Sequence, residues 1–211
     1  MNKKISNEII NILKEEIKDP KPELDFTNNY ELLIAVVLSA QTTDKRVNEV
    51  TKPLFDRYKD FYELSHANIC DVKDIINKLG FANNKSKNII ELSKIIVDKY
   101  NGIIPADFTE LENLPGVGHK TASVVLALGY NIPAIPVDTH LYRMAKRLGY
   151  IKENDSILLA EESYKKYIDK NEWILSHHLL LLFARYKCKA ISPLCDCCKL
   201  KKYCKYKSKW N

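Results

Sequence analysis

Four cysteines near the end of the chain have the spacing of a metal or cluster site. Five of the six cysteines fall after residue 187, and four of them fit the pattern C-x6-C-x2-C-x5-C: Cys188, Cys195, Cys198 and Cys204. Four thiolates can hold zinc or an iron–sulfur cluster. Zinc sites usually offer two close ligand pairs, whereas this pattern has one close pair flanked by two distant cysteines. The spacing therefore favours a cluster without deciding the metal.

The two remaining cysteines have different expected roles. Cys197 is an additional thiol directly beside Cys198, and such neighbouring side chains usually point in different directions. Cys70 lies alone in an apolar stretch and is expected to be a plain buried thiol.

Residues 114–122, Leu-Pro-Gly-Val-Gly-His-Lys-Thr-Ala, form a two-glycine turn between two helical patterns. Gly116 and Gly118 allow the backbone to reach positive φ or to approach a ligand closely. The helix that follows offers unpaired N–H groups and a positive dipole end, which suit a phosphate oxygen. An ordinary connection between helices could contain the same glycines. Lys120, in the first turn of the helix that follows, favours a phosphate-binding role. This is the helix–hairpin–helix element of many DNA-binding proteins.

Lys120 and Asp138 each have a simple structural interpretation. Lys120 could pair with a phosphate, and Asp138 could cap the helix expected to begin at Thr139.

Basic residues are concentrated at the C-terminal end. The chain carries a net charge of +6, but residues 185–211 hold nine Lys or Arg side chains, Lys207 and Lys209 among them, against the single acid Asp196. Such a segment attracts polyanions, of which nucleic acid is the commonest. A solvated lysine-rich tail would have the same composition.

The elements that must position these residues are helices. Apolar residues recur at spacings of three and four in almost every segment, and alternating strand patterns are absent. Ser6 is expected to cap a helix that runs to Ile17, and residues 30–40 are apolar nearly all round, as in a buried central helix. Residues 132–137 contain two prolines and indicate a linker between two halves.

Length and composition limit the class of protein. The 211 residues, with 45% hydrophobic and 28% charged side chains, fit a globular protein of one domain or two small ones. No apolar stretch is long enough to span a bilayer, and the N-terminus lacks the apolar run of a signal peptide. We therefore expect a cytoplasmic protein with no membrane association.

In collinear order, these motifs resemble the endonuclease III family of base excision repair DNA glycosylases and lyases. The resemblance rests on the hairpin, on Val-Asp-Thr-His at residues 137–140 and on the four-cysteine pattern. Residues 39–44, 80–89 and 173–188 are also similar to that family, so the resemblance runs through essentially the whole chain.

The resemblance implies an all-α fold of two helical domains with a DNA-binding groove between them. A six-helix domain, residues 22–131, would end in the helix–hairpin–helix. Residues 1–21 and 132–211 would form a discontinuous helical domain with the cluster loop at residues 188–204. The four cysteines would hold a 4Fe-4S cluster with a structural and DNA-positioning role.

The resemblance also implies the activity: removal of oxidised pyrimidines from duplex DNA, then cleavage 3′ to the abasic site by β-elimination. Lys120 would form the Schiff base and Asp138 would be the catalytic carboxylate. The implied partner is double-stranded DNA with oxidised pyrimidine or abasic lesions, bound by a monomer. The implied DNA-binding residues are Gln41, Phe81, Gly116, Gly118, His119 and Lys189.

Three departures from the family pattern and three competing functions bear on this interpretation. Ala82 stands where an aromatic residue is common, His119 replaces a frequent arginine, which weakens a phosphate contact, and Cys197 is an additional cysteine. An adenine glycosylase of the same superfamily shares hairpin, aspartate and cluster, but typically lacks the lysine and carries an extra C-terminal domain. A non-catalytic DNA-binding module would need only the hairpin and the basic segment, and a zinc-bound structural protein would need only the four cysteines.

Overall fold

The structure, a computed structural model, describes residues 1–206, and within this range every regular element is a helix. The all-α class predicted from periodicity is therefore confirmed for the described part of the chain. Lys207 and Lys209 of the basic segment lie outside it. None of the helices in residues 1–206 is long and apolar enough to cross a membrane.

The chain divides into two compact units, which are described separately. One is Pro22–Ile132, and the other combines Met1–Lys21 with the chain from Pro133 onward. The α-helices in chain order are α1 (Lys3–Glu16), α2 (Asn29–Leu38), α3 (Asp44–Arg57), α4 (Phe61–Ser65), α5 (Ile69–Ile75), α6 (Ala82–Tyr100), α7 (Phe108–Glu112), α8 (His119–Tyr130), α9 (Thr139–Leu148), α10 (Ile157–Tyr167) and α11 (Trp173–Tyr186). Two short 3₁₀ turns lie at Lys170–Glu172 and Lys201–Tyr203.

Helix α2 is the centre of the 22–132 unit. Eight of its ten residues are buried, and it packs against α3, α6 and α8. The Tyr30 hydroxyl donates to the Tyr58 carbonyl at 2.7 Å. The Tyr30 ring packs edge to face on the Phe61 ring, with the two ring centroids 4.8 Å apart. The unit has seven helical segments where the resemblance implies six, and two of the seven, α4 and α7, have only five residues each.

The turn between α7 and α8 has one glycine that is required and one that is not. Leu114 and Val117 are buried and anchor the turn. Gly116 has a φ of +78°, and a Cβ there would lie 2.9 Å from Asn88 Nδ2 and 3.1 Å from Val37 Cγ1. Gly118 has a φ of −105°, and a Cβ there would meet no described atom within 4 Å. Only Gly116 is therefore demanded by conformation and by space.

In the other unit, α1, α9, α10 and α11 pack around buried aromatic and aliphatic side chains. Tyr164 is fully buried and its hydroxyl donates to the Leu141 carbonyl at 2.9 Å. This bond joins α10 to the first turn of α9. Burial raises the pKa of the Tyr164 phenol well above its usual range, so the phenol stays a hydrogen-bond donor.

Two local predictions are wrong. Ser6 does not begin α1, because Asn2 caps the helix with its side-chain oxygen at 2.9 Å from the Ile5 N–H. Ser6 instead lies on the buried face of α1, with its hydroxyl 2.7 Å from the Tyr150 hydroxyl. Cys70 is exposed rather than buried, since α5 turns only Val72 fully into the core.

The two hairpin glycines give a matched test of this geometry. We expect Gly116→Ala to lower the free energy of unfolding by about 2 kcal/mol or more, because it adds strain at positive φ to a steric clash. Gly118→Ala should cost at most about 1 kcal/mol, the usual difference between Gly and Ala at a helix N-cap. Urea unfolding followed by circular dichroism measures both values, and equal losses in the two variants would contradict the described turn.

Candidate active site

Lys120 lies in the first turn of α8, and its side chain is exposed. The N-cap of α8 is Gly118, which makes no side-chain cap hydrogen bond. The first N–H groups of a helix have no partner inside it, so this end of α8 presents backbone donors beside a primary amine. The arrangement can bind a phosphate oxygen and bring an amine close to the sugar attached to it.

His119 is held by the helix before the hairpin. Its ring packs edge to face on Phe108 at 4.9 Å, and its Nδ1 lies 3.6 Å from Glu112 Oε1. Both contacts come from α7, so the ring is oriented within the hairpin itself. A DNA contact by His119 stays a prediction.

Gln41 and Phe81 are both exposed and both adopt left-handed backbone conformations. Phe81 is 65% exposed with a φ of 59°, and Gln41 has a φ of 56°. Positive φ is uncommon for non-glycine residues and a true outlier for a bulky one. Such strain costs on the order of 1–3 kcal/mol and concentrates at functional sites. Phe81 therefore lies on the surface of its unit, and its implied contact with DNA stays a prediction.

The hairpin and these two turns are neighbours within the 22–132 unit. Gly116 packs against Val37 of α2 and Asn88 of α6. Gln41 follows the end of α2, and Phe81 immediately precedes α6. The two exposed turns are therefore carried by the same two helices that support the hairpin.

Lys85 is a functional candidate that sequence analysis missed. It is only 6% exposed, and its ammonium donates to the Ala40 carbonyl at 2.8 Å and to Thr42 Oγ1 at 3.0 Å. Burial lowers the pKa of Lys85. The signal was its position, since Lys85 falls in register with Ile89, Leu92 and Ile96 on the buried face of α6.

Asp138 caps α9, as one of its two predicted roles requires. Its Oδ1 accepts from the backbone N–H groups of His140 at 2.8 Å and of Leu141 at 2.9 Å. The side chain is half-buried, and both capping bonds use the same oxygen, so Oδ2 takes no part in the cap. The cap fixes the carboxylate in one orientation, while a catalytic role stays a prediction.

The four cysteines of the predicted ligand set line one small cavity. Its walls also include Arg147, Leu194 and Tyr206. Burial, with a smaller contribution from the neighbouring thiols, raises the pKa of the Cys198 and Cys204 thiols. Within residues 1–206, no three His, Cys, Asp or Glu side chains are grouped as ligands of a single metal ion. The donor set, four sulfurs around a shared cavity, fits a thiolate-ligated group.

The additional cysteine, Cys197, is exposed.

Two arginines of α9 hold the beginning of the cysteine loop, and sequence analysis missed both. Arg147 is buried and donates to Cys188 Sγ at 3.0 Å and to the Lys189 carbonyl at 2.8 Å. Arg143 donates to the Ala184 carbonyl at 2.8 Å and to the Cys188 carbonyl at 3.1 Å. The helix that Asp138 caps therefore also fixes the first cysteine of the set.

Within residues 185–206, three lysines of the basic segment form ion pairs with α1, so this part is not simply a solvated tail. Lys187 Nζ lies 3.7 Å from Glu16 Oε1, and Lys199 Nζ lies 3.0 Å from Glu16 Oε2. The hydrogen bond from Lys199 is the main reason that the pKa of Glu16 is lowered. Lys202 lies 4.0 Å from Glu8. These three lysines are neutralised in part within the unit, while Lys189 remains exposed.

Comparison with known proteins identifies the family. Residues 34–170 match the family model described as HhH-GPD superfamily base excision DNA repair protein. Endonuclease III of Bacillus subtilis is 45% identical over 87% of this chain and 84% of its own length. Endonuclease III of Escherichia coli K12 is 38% identical over 99% of each chain.

A solved structure of a trapped endonuclease III–DNA covalent intermediate superimposes with a TM-score of 0.93 at 42% identity, covering 97% of this chain and 96% of that one. The chain therefore belongs to the endonuclease III family, within the HhH-GPD superfamily of base excision DNA repair proteins, and is a DNA glycosylase and abasic-site lyase.

Proposed function

We propose that this enzyme removes oxidised pyrimidines from duplex DNA and cleaves the strand 3′ to the resulting abasic site, with Lys120 as the nucleophile. The observation that carries the proposal is the exposed amine in the first turn of α8, directly after the Gly116–Gly118 hairpin. A relative of 42% identity has been trapped as a covalent intermediate with DNA, which supports a protein nucleophile. The proposed partner is double-stranded DNA, bound by a monomer, and the solved DNA complexes of relatives support DNA binding.

The reaction follows from the chemistry of an amine. Lys120 Nζ attacks C1′ of the lesion nucleotide, the glycosidic bond breaks, and the base leaves with the bonding electrons and takes up a proton. The sugar ring then opens to give a protonated Schiff base on Lys120. Because the iminium withdraws electrons, a C2′ proton can be removed, and the C2′–C3′ double bond forms as the 3′ phosphate leaves.

Asp138 has two compatible roles in this proposal. It accepts the proton that Lys120 must lose before attack, or it stabilises the positive charge that develops on the sugar as the base departs. The α9 cap supports either role, because two backbone N–H groups hold Oδ1 and fix the carboxylate.

The DNA contacts follow the exposed surface of the hairpin and its neighbours. The backbone at Gly116 and Gly118, with His119, would grip the phosphates, and exposed Lys189 would add a contact in the other unit. Flipping a base out costs a few kcal/mol. Gln41 would fill the gap that the base leaves, and Phe81 would stack against the opposite strand.

The four cysteines would hold a 4Fe-4S cluster, which when bound supplies a rigid cross-link of residues 188–204. The proposal rests on the shared cavity and the sulfur-only donor set. Arg147 donates a hydrogen bond to Cys188 Sγ and would offset the negative charge of the ligands. Its contacts with the loop carbonyls would orient the exposed Lys189 toward a phosphate.

Borohydride trapping tests the nucleophile. Lys120→Arg keeps a cation for phosphate but removes the primary amine, so we expect duplex affinity to change by less than about threefold. The crosslink to thymine glycol DNA should disappear, and strand cleavage should fall at least about 10³-fold. Lys94→Arg, at an exposed lysine of the same unit, is the matched control and should crosslink normally. A crosslink that persists in Lys120→Arg would refute the assignment, and binding without chemistry in wild type would favour a DNA-binding module.

Adjacent cysteines test the cluster. Cys198→Ser should lose most of the iron, about four atoms per chain in wild type, together with the visible absorbance. Cys197→Ser, one residue away and exposed, should retain both. Metal analysis of the purified proteins measures the iron content per chain. Stoichiometric zinc in wild type, or equal iron loss in the two variants, would argue against the proposed ligand set.

A further inference from the structure

One buried lysine contacts both of the strained turns that carry the proposed DNA-inserting side chains. Through its backbone, the Lys85 N–H donates to the Phe81 carbonyl at 3.0 Å. Through its side chain, Lys85 Nζ donates to the Ala40 carbonyl at 2.8 Å and to Thr42 Oγ1 at 3.0 Å. These acceptors lie directly before and after Gln41. The backbone bond is the first i→i−4 bond of α6, which any residue at this position makes, so the lysine side chain itself joins the Gln41 turn to the helix that Phe81 precedes.

The position is an unfavourable one for a cation. Lysine is rarely buried, and Lys85 is only 6% exposed. It also lies in the first turn of α6, where the helix dipole opposes positive charge. Its two side-chain acceptors are a carbonyl and a hydroxyl, which offset the cost of burial less than a carboxylate would. An apolar residue would serve the core better, so packing alone does not explain the lysine.

What Lys85 does supply is a fixed distance between two irregular segments. The turn at residues 39–43 is otherwise closed by short local bonds, such as the Thr42 N–H to the Ser39 carbonyl at 3.0 Å. The Lys85 ammonium reaches from α6 to residues on both sides of Gln41, bonding the backbone carbonyl of Ala40 and the side-chain hydroxyl of Thr42. Gln41 and Phe81 themselves remain exposed.

We propose that Lys85 is a positioning residue, which locks the Gln41 turn to the start of α6 so that Gln41 and Phe81 enter the duplex at a set spacing. The inference rests on the proposed function, in which these two side chains occupy the opened base pair. Lys85 itself touches neither the lesion nor the reacting atoms. It acts on the step that opens the base pair, ahead of the chemistry at Lys120.

The test compares two substrates in single-turnover experiments. Thymine glycol in a duplex must be flipped before excision, whereas an abasic sugar requires no base to be unstacked. Lys85→Met keeps the length of the side chain and removes its donors, and should slow thymine glycol excision by about 10- to 100-fold. Cleavage of the abasic duplex should stay within about twofold of wild type, because the Lys120 chemistry is intact. Lys87→Met, at an exposed lysine two residues further along α6, is the matched control and should behave as wild type.

A double-mutant cycle separates positioning from a general structural role. If Lys85 acts through Gln41, adding Lys85→Met to Gln41→Ala should cost less than about twofold more in excision. Thr42→Val removes one acceptor while keeping Lys85, and should slow excision by about three- to tenfold. The Thr42→Val variant tests the positioning role even if Lys85→Met fails to fold.

The outcomes distinguish this inference from the proposed function. Equal slowing on both substrates, or losses that multiply fully in the double variant, would overturn the positioning role of Lys85. Wild-type enzyme that cleaves neither substrate would instead refute the proposed function on which the inference rests.

Discussion

The N-terminal end of a helix leaves backbone N–H groups without partners, and both candidate reactive residues of this enzyme lie at such an end. At α8 the N-cap is Gly118, which has no side chain to occupy the donors. These donors can therefore serve a phosphate beside Lys120. At α9 the donors are used differently, because Asp138 Oδ1 accepts from two of them and is thereby fixed. The same property of a helix end underlies the proposed phosphate site in one unit and the oriented carboxylate in the other.

Buried cations hold the irregular segments that helices alone would not fix. Lys85 holds the turn around Gln41 against α6, and Arg147 holds Cys188 and the following backbone against α9. In both cases a long side chain reaches from a helix to oxygen atoms of a loop, at least one of them a backbone carbonyl. Because leaving such a group unpaired in the interior is costly, each loop conformation is strongly specified. The parts of this protein proposed to meet DNA or to carry the cluster are thereby fixed by helices of their own unit.

The sequence predicted what depends on repeated local patterns. Helical periodicity gave the all-α class, and the composition of α2 correctly indicated a buried helix. It failed where one residue had two plausible local roles: Ser6 resembles an N-cap, but Asn2 takes that role and Ser6 pairs with Tyr150. Lys85 and Arg147 were missed because charged residues are expected to face solvent. The left-handed conformation of Phe81 could not be foreseen either, since nothing in its residue type favours positive φ. The roles of Lys120 and Asp138 came from the resemblance, and their assignment stays a prediction.

The central claim, that the amine of Lys120 becomes bonded to the sugar, is tested most directly by locating the bond itself. Wild-type enzyme would be reduced with borohydride on an abasic duplex, digested with protease and nuclease, and the modified peptide sequenced by mass spectrometry. The account predicts a single deoxyribose-derived adduct on Lys120 Nζ, in the peptide that contains Gly116 and Gly118. An adduct on the N-terminal amine or on any other lysine would contradict it.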